Sequence, residues 1–189
     1  MNVLTDREIR QAHQRGEISV DPFEQAMIRP AALSLRLGYA AFSLVSTGPV
    51  DIADKASHPE LRPKHLDGEG RLMVEPGEVV LAPTLERIEL SDRLAGLLDG
   101  TSDYARLGIS VVLSHQVSPG FGAGGGAIIT LEIVSHLRHP VLLRPGTRIC
   151  NLMLLATSGS EVPYGAMPHN YSSDWTVAPS RLADHVAQS

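Results

Sequence analysis

The sequence predicts a mainly β fold, and three observations carry the prediction. Short apolar runs of strand length follow one another from Leu33 to Leu155, with turn residues roughly every eight to twelve positions. Nothing alternates strands with long amphipathic helices, as βαβ units require. Aromatics make up only 4% of the chain, so the core must rest on Leu, Val, Ile and Ala. A sandwich or barrel satisfies all three.

Taken in order, Thr5-Asp6-Arg7-Glu8 opens a short helix, with Thr5 as N-cap and Glu8 as its capping-box partner. Ile9 and Ala12 give it an apolar stripe, and Gly16 ends it. Leu33 to Leu37 alternates at period two, Gly38 breaks the run, and Ala41 to Val45 resumes it. Residues 47–70 are polar and rich in Gly, Pro, Asp, Lys and His, which reads as a solvated surface excursion rather than a lid. Strands are then expected at Leu72–Val74, Val79–Ala82, Glu86–Leu90, Leu94–Leu98, Ile128–Val134, Pro140–Leu143 and Arg148–Leu155. From Ser158 to Ser189 no period is sustained; Tyr164, Tyr171 and Trp175 favour a tail docked across a neighbour over a frayed one.

At 189 residues the chain suits one domain, 1–189, with a tail. A net charge of −5 argues against a general nucleic-acid binder, while leaving room for a small phosphorylated ligand held by a few arginines and backbone N–H groups. The single cysteine, Cys150, excludes an intramolecular disulfide and fits a reducing compartment. No signal-peptide core or membrane-spanning run is visible, so the expected location is the cytoplasm, away from membranes.

The chemistry concentrates between Leu98 and Ile133. A polar turn, Asp99-Gly100-Thr101-Ser102-Asp103, leads to Arg106, and the segment closes in Ile128-Ile129-Thr130-Leu131-Glu132-Ile133. On a strand, Ile129, Leu131 and Ile133 share one face, with Ile128, Thr130, Glu132 and Val134 on the other. A carboxylate thus stands in the middle of an otherwise apolar strand, where burial without a partner costs free energy and desolvation raises a carboxyl's pKa.

Other motifs carry less. The GxGxxA match within Gly120–Ala127 precedes a strand, whereas a dinucleotide site needs a helix there; a flexible hairpin loop is expected instead. There is no GxxxxGK[ST] phosphate loop. The H-x-E and P-C-x-x-C zinc signature of common nucleobase deaminases is absent, and His136-Leu137-Arg138-His139 lacks helical zinc spacing. Cys150, in an apolar run, reads as an inert buried thiol.

Assembled, these residues resemble the dCTP deaminase branch of the dUTPase-like superfamily along nearly the whole chain. LTDREIRQAHQRGEISVDPF with RPAALSLRLG is similar to the family's opening helix and first strand. VEPGEVVLAPTLERIELSDRLAGLLDG leads into TSDYARLGI, SHQVSPGF, ITLEI and RPGTRICNL, in family order. The resemblance implies a distorted β-barrel subunit with a short N-terminal helix. It also implies a homotrimer with active sites at subunit interfaces, and a deoxynucleoside triphosphate bound with Mg2+ on its phosphates and no zinc. Glu132 would be the general acid/base for water attacking C4 of cytosine, turning dCTP into dUTP and ammonia, a task suited to a carboxyl whose pKa an apolar wall pushes toward neutrality. Ser102 would contact phosphate and help place the water. Arg106 would sit on the triphosphate or against the carboxylate, and Ser114 near the base. Tyr164 would help close the site, and Tyr171 falls on the family's closing K-Y-x-x-Q segment, where Asn170 and Asp174 stand roughly in place of its lysine and glutamine, so that the tail from about 158 to 189 closes over the site.

Departures from the pattern define the alternatives. Thr101 stands where the family has a phosphate-binding arginine, Asp103 where it has serine, Ser118 where an aspartate contacts the sugar, and Asn151 where many members carry glutamine. A carboxylate beside phosphate repels it by roughly 4 kcal/mol at about 4 Å and an effective dielectric near 20. The same scaffold acting on a different or less phosphorylated nucleotide, or a non-catalytic nucleotide-binding regulatory trimer, therefore stands beside the deaminase reading. A dUTPase-like diphosphohydrolase is disfavoured, because Ser118 replaces the aspartate that orders its water and the tail lacks the glycine-rich clamp.

Overall fold

The computed structural model describes residues 2–168 and 170–186. Strand β1 (Asn2–Val3) precedes helix α1 (Asp6–Gln14), which starts where the capping signal places it. Both the N–H and the hydroxyl of Thr5 donate to the Glu8 carboxylate, at 2.8 and 2.7 Å. The helix buries Ile9 and Ala12. There follow β2 (Ile18–Asp21), β3 (Ile28–Arg29), β4 (Ala32–Arg36), β5 (Phe42–Val45), β6 (Glu60–Pro63), β7 (Leu72–Val74), β8 (Val79–Leu90) and β9 (Leu94–Gly100). The second half holds α2 (Ser102–Arg106), β10 (Ile109–Ser110), β11 (Gln116–Val117), β12 (Ala127–Ser135), β13 (Val141–Leu143), β14 (Arg148–Ala156) and α3 (Leu182–Val186).

The strands form two six-stranded antiparallel sheets and a ribbon. One sheet runs β11-β9-β14-β4-β3, with β1 also on β14; the other runs β10-β12-β8-β5-β6, with β2 also on β8; β13 pairs β7. The closed distorted barrel that the resemblance implied is not formed by these pairings. Both sheets keep open edges among the described residues and meet at a corner, where Leu37 bridges Thr84 and the Gly38 N–H donates to the Pro83 carbonyl at 2.8 Å. Between the sheets, Leu33, Leu35, Leu152 and Leu154 from one and Val80, Ile88, Leu131 and Ile133 from the other join a single buried apolar cluster. Removing the Leu131 side chain from that cluster costs about 2–5 kcal/mol.

Two expected strands, Val79–Ala82 and Glu86–Leu90, are one continuous strand. The gap between them, residues 83–85, begins with Pro83, which has no N–H for the ladder. The neighbouring Thr84 repairs it: its hydroxyl accepts the Ile129 N–H at 3.0 Å and donates to the Glu86 carbonyl at 2.7 Å. The facing strand answers with a register shift between Ile128 and Thr130. The glycine loop before β12 is likewise more constrained than expected. Gly122 is buried at φ +73°, and a Cβ there would lie 2.0 Å from the Ile88 carbonyl oxygen. Only glycine fits.

Candidate active site

Register places Glu132 directly opposite Leu81 of β8, so both side chains leave the sheet on the same face. The core takes Ile129, Leu131 and Ile133, while Thr130 and Glu132 are half-buried on the opposite side. That side is the floor of a cleft of about 610 Å3. Its volume suits a nucleoside-sized ligand. The apolar wall expected around Glu132 is only partial, because backbone donors face the carboxylate. The Leu113 N–H reaches Oε2 at 3.0 Å and the Ser114 N–H reaches it at 3.4 Å. These bonds hold one carboxylate oxygen in place.

Three other segments complete the cleft. The stretch after β10 contributes Ser114, Gln116, Ser118 and Phe121. The tail contributes Tyr164, Tyr171, Asp174, Ala178 and Ser180, so it lies across the chain's own cleft. Its docking is polar as well as apolar. The Tyr164 N–H donates to the Pro119 carbonyl at 2.8 Å, and the Ile128 N–H donates to the Asp174 carbonyl at 3.1 Å. The Tyr171 N–H donates to the Tyr164 hydroxyl at 3.1 Å, and the Tyr164 ring stacks on Phe121. His169 and residues 187–189 of the expected tail lie outside the described residues. The last wall is His58 with Pro59, from the 47–70 connection, which is therefore not merely a solvated excursion.

The sequence-predicted residues fall into two groups. Glu132, Ser114, Ser118, Tyr164, Tyr171 and Asp174 converge on the cleft. Ser102, Asp103 and Arg106 do not line it; they are exposed on α2, with Thr101 as that helix's N-cap. Asp103 instead lines a shallower groove with Tyr104, Leu107 and Arg144. Asn151 is also elsewhere. Its Oδ1 accepts the Ser34 hydroxyl at 2.9 Å, and that hydroxyl oxygen in turn accepts the Arg29 Nε–H at 2.9 Å. The phosphate repulsion expected from Asp103 thus has no place inside this chain's own cleft. Sequence reasoning missed Gln116, Thr130, His58 and Ser180. Thr130 was findable, since it shares the strand face of Glu132; His58 and Ser180 reach the cleft through long-range packing that no local pattern encodes.

Comparison with known proteins now decides the family. Residues 3–157 match the sequence profile of the dCTP deaminase-like family. This chain belongs to that family. It is 33% identical to "dCTP deaminase, dUMP-forming" of Mycobacterium bovis (strain BCG / Pasteur 1173P2) over 99% of each chain. It is also 33% identical to the protein of the same name from Rhodococcus jostii (strain RHA1), over 99% of this chain and 100% of that one. Both relatives are named for dUMP, where the sequence reading expected dUTP. A crystal structure of 2'-deoxycytidine 5'-triphosphate deaminase from Agrobacterium tumefaciens shares the fold, with a TM-score of 0.62 at 20% identity. The alignment covers 82% of this dCTP deaminase-like chain and 48% of that one, so the chain spans about half the length of that relative. No described helix of the family member is long and apolar enough to cross a membrane.

Proposed function

We propose that this protein hydrolyses dCTP to dUMP and ammonia, with Glu132 as general acid/base of the deamination. The observation that carries the reading is the position of Glu132 on the cleft floor, with Oε2 held by the Leu113 and Ser114 N–H groups. A carboxylate so held takes a proton from water attacking C4. It then passes protons to the ring nitrogen and the departing amine. Full-length relatives named as dUMP-forming support a second hydrolysis, at the bond between the α- and β-phosphates, releasing diphosphate. This product replaces the dUTP of the sequence reading.

Magnesium belongs to the proposal as a passenger on the substrate phosphates, where it neutralises charge. Of the cleft carboxylates, Asp174 is already engaged by Arg181, and no group of three or more His, Cys, Asp or Glu is placed to hold a metal among the described residues. A homotrimer belongs to it as well. The expected phosphate-side residues Ser102 and Arg106 stand outside their own cleft, which supports their serving a neighbouring copy. Exposed apolar residues, including the cross-strand pair Leu97 and Met153, support an assembly surface. A single cleft formed in this way would draw Glu132 from one copy and Arg106 from another.

Product stoichiometry tests the reading. Equal ammonia and diphosphate from dCTP with Mg2+ supports dUMP formation; ammonia without diphosphate overturns the second hydrolysis; neither product overturns the deaminase assignment. Mixing Glu132→Gln with Arg106→Ala protein tests the shared site, because mixed trimers regain activity only if the two residues act from different copies.

A further inference from the structure

We propose that Arg181 is the phosphate-sensing cation of this cleft, held in reserve by its ion pair with Asp174. The inference rests on the dCTP reading and deepens it by naming the residue that distinguishes a triphosphate from shorter forms. The carboxylates Glu132 and Asp174 line the cleft, and no lysine or arginine does among the described residues. A bound triphosphate therefore draws its positive charge from outside the lining, from Arg106 of a neighbouring copy as proposed above and from any cation of this chain that stands beside the cleft.

Arg181 is placed to supply it. Its Nη2 donates to both oxygens of Asp174, at 2.9 and 3.2 Å. Its Cζ lies 4.4 Å from the centroid of the Tyr171 ring, and its backbone N–H donates to the Tyr171 hydroxyl at 2.9 Å. Nη1 donates to the Asn170 carbonyl. Asp174, Tyr171 and the preceding residue, Ser180, all line the cleft. Among the described residues no other guanidinium or ammonium is bonded to or stacked on a lining side chain. The planar guanidinium fork that grips a carboxylate grips a phosphate in the same geometry, so a rotation of the Arg181 side chain exchanges one anion for the other.

The exchange makes Asp174 a threshold. A phosphate must outcompete it for the guanidinium, and a triphosphate with more negative charge competes better than a monophosphate. In this arrangement the two residues set phosphate discrimination, while recognition of the nucleoside remains with the rest of the cleft.

Equilibrium binding of deoxycytidine, dCMP and dCTP tests this, with Mg2+ present and Glu132→Gln protein used so that nothing turns over. Adding Arg181→Gln should weaken dCTP roughly tenfold or more and leave deoxycytidine within about twofold. Adding Asp174→Asn should tighten dCTP several-fold relative to deoxycytidine and narrow the gap between dCMP and dCTP. Arg181→Lys, which keeps the charge without the fork, should recover part of the dCTP affinity. Equal weakening of deoxycytidine and dCTP by Arg181→Gln would reduce Arg181 to a tail anchor and overturn the proposal, as would unchanged dCTP binding in Asp174→Asn. If deoxycytidine and dCTP bind the parent equally, the phosphate role fails while the cytosine reading survives. If neither binds, both fail.

Discussion

The Asp174 carbonyl oxygen accepts the Ile128 N–H at 3.1 Å, which ties the C-terminal tail to the beginning of the strand that carries Glu132. The contact falls next to the register shift: Ile128 pairs with Arg87 on β8, and the shift lies between Ile128 and Thr130. The tail contact and the Glu132 carboxylate are thereby linked along one strand, four residues apart.

Ending the chain at Met167 should therefore expose the Ile128 amide while leaving the sheet intact. Hydrogen exchange measured residue by residue should show Ile128 becoming fast and Leu131 staying protected, because local opening follows the lost bond. Cleavage of dCTP by the shortened protein should fall at least tenfold in kcat/KM. Unchanged exchange at Ile128 would mean the tail bond has no weight in solution.

Glu132→Gln should fold normally and lose ammonia release by at least about a hundredfold, the usual contribution of a positioned general base. The amide oxygen can still accept from Leu113 and Ser114, so the variant separates proton transfer from structure. Circular dichroism and the melting temperature check the fold, and an ammonia assay checks the chemistry. Substantial activity in a folded variant would remove Glu132 from the mechanism.

How much of this was legible in the sequence differs by scale. The alternation around Glu132 could be read directly, because a strand's two faces are set by residue parity, and the core confirms Ile129, Leu131 and Ile133 on the inward face. The two separate strands read at Val79–Ala82 and Glu86–Leu90 are joined by a long-range bond, from the Ile129 N–H to the Thr84 hydroxyl, that no local pattern shows. The separation of Ser102 and Arg106 from Glu132 was not legible: resemblance to the family names candidates by their order in the chain, whereas their distance depends on how β9, α2 and β10 turn at the end of the sheets. His58 was hidden for the same reason, since a polar connection of residues 47–70 shows no period that would aim one histidine at a distant cleft.

Gly122→Ala should destabilise the protein by roughly 3 kcal/mol or more, through a backbone clash with the Ile88 carbonyl and a positive φ that alanine resists. Gly124→Ala, where nothing lies within 4 Å of the added carbon, should lose less, with the strain of φ +92° as its main penalty. The denaturation midpoints of the two variants check this ordering. Equal midpoints would show that the loop relaxes away from Ile88 in solution.

Stability toward acid should depend on Glu78. Burial pushes this carboxyl up, but hydrogen bonds from the Lys64 ammonium, the Ser43 hydroxyl and the Glu75 N–H outweigh it and leave the pKa below the ordinary value of 4.5. A carboxyl with a lowered folded pKa stabilises the fold fully above its unfolded pKa, and that contribution is lost as pH falls through the folded value. Glu78→Gln should thus be less stable than the parent by roughly 1–2 kcal/mol at pH 7, for loss of a charge-assisted partner to Lys64. The difference should shrink as pH drops below about 4.5 and the parent's carboxylate is itself neutralised. Melting temperatures of the pair across pH 3–7 decide the matter. A gap that stays constant to the acid limit would mean the substitution acts through packing, with the Lys64–Glu78 bond contributing nothing.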